Sequence, residues 1–125
     1  MRFMMIYKPA NFRDSEAGVP PTPEHMAEMG KLIGELVQSG ALLATDGLQA
    51  SSKGARVKLA EGKFAVTDGP FTETKELIAG YAIFQLQSKA EAIQLSERFL
   101  KVAGDGEVEI RQMQDNPAFA REKSA

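Results

Sequence analysis

The chain has 125 residues, 43% of them hydrophobic and 26% charged, with a formal net charge of -2 and no cysteine. That length and balance suit one globular domain with a proper core. The near-neutral charge excludes an electrostatic footprint for nucleic acid or an anionic membrane. The lack of cysteine excludes disulfides, thiolate nucleophiles and cysteine-type zinc sites.

The N-terminal apolar run, Phe3 to Tyr7, is too short for a signal peptide, and no run approaches the ~20 apolar residues of a membrane span. A cytoplasmic protein is therefore expected. Phe3 to Tyr7 reads as a strand apolar on both faces, with Phe3, Met5 and Tyr7 on one and Met4 and Ile6 on the other. Asn11 to Pro21 reads as loop. Thr22-Pro23-Glu24 then opens a helix, with Thr22 as N-cap and Pro23 at the first helical position. Met26, Met29, Ile33, Leu36 and Val37 follow at helical spacing. Gly30 and Gly34 each weaken that helix by roughly 1 kcal/mol relative to alanine, so close approach of helix to sheet is expected there. Gly40 ends it.

Ala41 to Ala44 reads as a second strand stopped by Asp46-Gly47. Arg56 to Leu59 and Lys63 to Val66 flank Glu61-Gly62 as a short hairpin. Thr67-Asp68-Gly69-Pro70-Phe71 is a hard chain stop. The Asp68 carboxylate is expected to bond backbone N–H groups near Gly69 and Phe71, Gly69 to allow positive φ, and Pro70 to fix the turn. The Phe71 ring is expected to fold back onto a core or a partner. Tyr81 to Leu86 is a further strand apolar on both faces. Ser88 to Glu91 is a capping box opening a second helix, with Ala92, Leu95, Phe99 and Val102 as its inner stripe. Glu107 to Met113 alternates charged and apolar residues, as an edge strand does.

The order β-α-β, hairpin, β-α-β resembles a split βαβ ferredoxin-like sandwich, an α+β fold with an inserted hairpin. Two helices cover one sheet face only, yet the first and third long strands are apolar on both. A homodimer with sheets packed face to face is the economical expectation, with cover of that face in cis by the tail and the hairpin as the alternative. The domain spans 1–115, and 116–125 is a polar tail.

The central stretch Val66-Thr67-Asp68-Gly69-Pro70-Phe71-Thr72-Glu73-Thr74-Lys75-Glu76, with Gly80-Tyr81 beyond it, resembles the signature of the DGPF-type branch of the YCII-related domain family. The openings Arg2-Phe3-Met4-Met5-Ile6-Tyr7 and Leu36-Val37-Gln38-Ser39-Gly40-Ala41-Leu42-Leu43 look similar too. The resemblance implies a dimeric α/β barrel built from ferredoxin-like domains. For some YCII-like proteins it also implies a His–Asp pair acting on small cyclic or aromatic molecules, and for the DGPF branch a link to extracytoplasmic-function sigma factors.

His25, the single histidine, falls in the first turn of the first helix. There a neutral imidazole is expected, able to act as general base or acid, or else simply a surface side chain beside Glu24 and Glu28. Asp68 is the best carboxylate candidate besides its turn role, and Asp46 is a weaker one. Tyr7, Phe71 and Lys75 are candidate binding residues, with packing or solvated salt bridges as the plainer alternatives. One histidine and no cysteine argue against a metal site. No phosphate loop, nucleophile elbow or dinucleotide fingerprint is present, so no cofactor is expected. The expected function is a small cofactor-independent enzyme doing lyase-like acid/base chemistry on a small organic molecule. The alternative is a non-catalytic ligand-binding or regulatory module.

Overall fold

The computed structural model describes residues 1–71 and 77–115. The strands and helices are β1 (Arg2–Pro9), α1 (Phe12–Glu16), α2 (Pro23–Gln38), β2 (Leu42–Gly47), β3 (Ala55–Ala60), β4 (Lys63–Asp68), β5 (Gly80–Gln85), α3 (Lys89–Ala103) and β6 (Gly106–Gln112), with a 3₁₀ turn at Ser51–Lys53 between β2 and β3. β2, β5, β1 and β6 form one sheet in that order, every pairing antiparallel. β3 and β4 form a separate two-stranded sheet. The fold is α+β, and its strand order is compatible with a ferredoxin-like topology carrying an inserted hairpin. Among the described residues no helix is long and apolar enough to cross a membrane.

The register explains the two faces. Phe3 lies opposite Phe84, and Met5 opposite Ala82 and Ile110. With Leu86 and Ala92 of α3 these residues build the core. The alternate residues, Met4 opposite Ile83 and Ile6 opposite Tyr81, point to the other face. β6 is an edge strand, as its charge alternation predicts. Lys8 of the neighbouring β1 donates to Glu109 at 2.8 Å, and Arg111 to the same carboxylate at 3.2 Å, which holds Glu109 below the usual carboxylate range.

The helix ends follow local chemistry. Thr22 Oγ1 accepts from His25 N–H and Ser88 Oγ from Glu91 N–H. Glu61 and Gly62 both take positive φ in the tight hairpin turn.

Four expectations change. Residues 12–16, read as loop, form α1. β2 runs through Asp46-Gly47 rather than stopping there, because Thr45, Asp46 and Gly47 pair with β5. The buried residue of α2 is Leu32, while Met26 and Val37 are exposed. Gly30 and Gly34 do not permit a close approach, since a Cβ on either would meet nothing within 4 Å. Helix α2 stands away from the sheet instead.

Candidate functional site

The stand-off of α2 leaves a chamber of about 780 Å³ between the helix and the sheet. Its floor is Met5, Tyr7, Ala82 and Phe84, its roof Met29, Ile33 and Leu36, and its back wall Leu95 and Phe99 of α3. Pro20 and Pro21 also line it. Among the described residues, Asp14 and Asp46 are the only carboxylates on its walls, and no lysine or arginine lines it.

A second, more polar cavity adjoins it. Asn11, Arg13 and Asp105 line that one, and Tyr7, Asp14 and His25 line both. These three side chains therefore stand where an apolar chamber meets a polar one. Such a junction suits a ligand with an apolar body and a polar end.

Tyr7 is placed by the end of β1. Its ring meets Phe99 edge to face, with centroids 5.0 Å apart and planes at 78°. Burial and the Asp105 charge raise its phenol above the ordinary value, so it keeps its proton at neutral pH. Gly106 makes room for it, because a Cβ there would lie 3.0 Å from Tyr7 Cε1 and 2.8 Å from the Lys8 carbonyl oxygen.

His25 comes from the first turn of α2 and is half-buried. Its Nε2 bonds the Val102 carbonyl in the last turn of α3. That carbonyl is one of the four a helix C-terminus leaves without an internal partner. A carbonyl only accepts, so Nε2 carries the proton, and the neutral imidazole keeps its lone pair on Nδ1. His25 thus fastens the start of α2 to the end of α3 as well as facing the cavities. His25→Ala is expected to lower stability by about 1 kcal/mol, measured by urea titration, rather than the near-zero change of an exposed side chain.

The other sequence candidates lie elsewhere. Asp68 is exposed at the end of β4 and lines neither cavity. Among the described residues, other groups accept from the N–H groups of Gly69 and Phe71. Gly69 N–H donates to the Gly54 carbonyl at 3.0 Å, and Phe71 N–H to Ser51 Oγ at 2.9 Å. Ser51 in turn donates its N–H, at 2.7 Å, and its hydroxyl to the two oxygens of Glu16. Phe71 is half-buried, with the Arg56 guanidinium 3.9 Å from its ring centroid. Its neighbours are those of a docked turn. Lys75 lies outside the described residues. Asp46, the weaker candidate, lines the chamber and lies 3.4 Å from the Tyr81 hydroxyl.

Asp14, Glu16 and Ser51 were not legible as site or turn residues. Asp14 and Glu16 belong to the unexpected helix α1, and Ser51 acts through a contact 35 residues distant in sequence. Among the described residues no group of three acidic or histidine side chains converges as a metal site.

Fold and cavity together define a small α+β domain of ferredoxin-like strand order with an apolar chamber under its first long helix. The model of the YCII-related domain family matches residues 1–115, and the chain belongs to that family. No curated protein matches the sequence.

Proposed function

We propose that the protein, as a homodimer, holds a small amphipathic organic molecule in the chamber beneath α2, its polar end at the junction of Tyr7, His25 and Asp14. The observation that carries this reading is the apolar chamber opening onto those three polar side chains. In the catalytic form of the proposal, His25 accepts a proton through Nδ1 while the protonated Tyr7 phenol donates a hydrogen bond to the ligand. The carboxylate shared by both cavities is Asp14, so we assign it, not Asp68, as the acid beside His25. A ligand-holding module without turnover uses the same chamber. The homodimer rests on the sheet face away from the core, where Met4, Ile6 and Ile83 form an apolar strip, with Tyr81 at its end where it also lines the chamber.

The test is titration with the fluorescent probe N-phenyl-1-naphthylamine. Saturable binding is expected, weakened at least tenfold by Ala82→Leu, which fills the chamber floor. Asp68→Asn is expected to leave it unchanged. No saturable binding, or equal binding by Ala82→Leu, removes the reading.

A further inference from the structure

The hairpin β3–β4 is the least explained part of the chain. Its strands pair with each other, and neither packs substantially on a helix or on the main sheet. Every residue of both strands is exposed. The register nevertheless sorts them into two faces. Val57 pairs with Val66 and Leu59 with Phe64, which gathers four large apolar side chains on one face. Their exposures are 67, 65, 61 and 74%. Arg56 and Lys58, opposite Thr67 and Ala65, occupy the other face. A two-stranded hairpin is marginal by itself in water and needs something to pack against, and an amphipathic alternation this regular marks a surface meant to be covered.

We propose that this hairpin is an arm that clasps a second copy of the chain, laying Val57, Leu59, Phe64 and Val66 on the partner's body. The inference rests on the homodimer proposed above and assigns it a second contact besides the sheet face. Charge favours a second copy as the occupant. Lys53, Arg56, Lys58 and Lys63 outnumber Glu61 and Asp68 on the arm and its root, while the whole chain carries -2. The arm is therefore net basic and the rest of the chain net acidic; with Arg56 and Lys58 on the face away from the apolar one, this charge steers the arm toward a second body rather than pairing at the contact. Area points the same way. A stable pair buries about 800 Å² on each partner. The short strip of Met4, Ile6, Tyr81 and Ile83 supplies part of that, and a reciprocal pair of arms, required by twofold symmetry, supplies more. The arm is also next in sequence to one of the two strands that carry the strip. β5, the next strand after β4, contributes Tyr81 and Ile83. The Glu16–Ser51–Phe71 contacts brace the arm's root against α1, which suits an element that must be held out at a fixed angle.

Sedimentation equilibrium on the full chain tests this. The wild type is expected to be a dimer at micromolar concentration, and Phe64→Glu with Val66→Glu to raise the dissociation constant at least tenfold while circular dichroism is unchanged. A wild-type monomer overturns both the homodimer and the arm. A dimer of unchanged affinity in the double variant overturns the arm alone. Because the chain has no cysteine, Phe64→Cys gives a second readout that survives if the double variant does not fold. Its thiol is expected to react with a maleimide at least tenfold more slowly above the dimer dissociation constant than below it. Equal rates, or protection independent of concentration, overturn the proposal.

Discussion

Gly69→Ala is expected to lower the stability of the fold by about 3 kcal/mol, at the upper end of what overpacking costs. Gly69 is not held at positive φ; the glycines that are include Gly40, Gly62 and Gly104. What requires glycine at 69 is space. A Cβ there would collide with the Ser51 carbonyl group and lie 3.1 Å from Ser52 N. These are backbone atoms, so no side-chain rotation relieves the overlap. Ser51 cannot easily give way, because its N–H and hydroxyl are held by Glu16 and its hydroxyl oxygen accepts from Phe71. Gly69 itself is tied to Gly54 across the base of the hairpin. The substitution must therefore break the bracing of the turn or displace the 3₁₀ segment. Gly30→Ala and Gly34→Ala are the controls. Neither Cβ meets anything within 4 Å, so each is expected to be neutral or to gain up to roughly 1 kcal/mol from helix propensity. Urea titration of the three variants side by side decides the matter. A Gly69→Ala protein as stable as Gly30→Ala would mean that the turn does not dock on Ser51.

That contrast also shows what a sequence can and cannot disclose. The strands, the two long helices and the hairpin were legible because each announces itself locally. Thr22 and Ser88 cap their helices, Glu61-Gly62 turns the hairpin, and Val108 and Ile110 alternate with charges on β6. The importance of Asp-Gly-Pro-Phe was legible too, but its reason was misplaced. Local chemistry suggests that Asp68 caps its own turn, and the capping group is Ser51, brought there by tertiary folding. The chamber was the least legible feature. It exists because α2 stands off the sheet, and helix-to-sheet distance leaves no periodic mark on a sequence. Gly30 and Gly34 even suggested the opposite, since small residues usually signal close approach. Tyr7 was legible from residue type and position, and His25 from these together with the family resemblance. Their meeting with Asp14 at one cavity junction depends on how β1, α1 and α2 come together.

Phe3→Ala is expected to cost about 3–5 kcal/mol, the usual range for emptying a buried aromatic site. Phe3 is only 2% exposed and sits on β1, a central strand paired on both sides. Phe84 faces it directly across the β1–β5 ladder, and the two join Met5, Leu86 and Ala92 in the core. Relaxation cannot fill the space cheaply, because β1 is fixed between β5 and β6 by continuous pairing from Phe3 to Tyr7. Domains of this kind are stable by about 5–15 kcal/mol, so one substitution removes a large share. Phe71→Ala should cost less, since that ring is only half-buried and loses mainly its packing and a contact with Arg56 worth about 0.5–1 kcal/mol. Phe64→Ala, at 74% exposure, should change the stability of the isolated chain by no more than about 0.5 kcal/mol. The order Phe3, Phe71, Phe64 is the expected result, read from urea midpoints at constant m and at protein concentrations below dimer formation. A Phe64→Ala loss at those concentrations as large as that of Phe3→Ala would mean that the hairpin packs onto its own body. The core centred on Phe3 would then be only one of two structures holding the chain together.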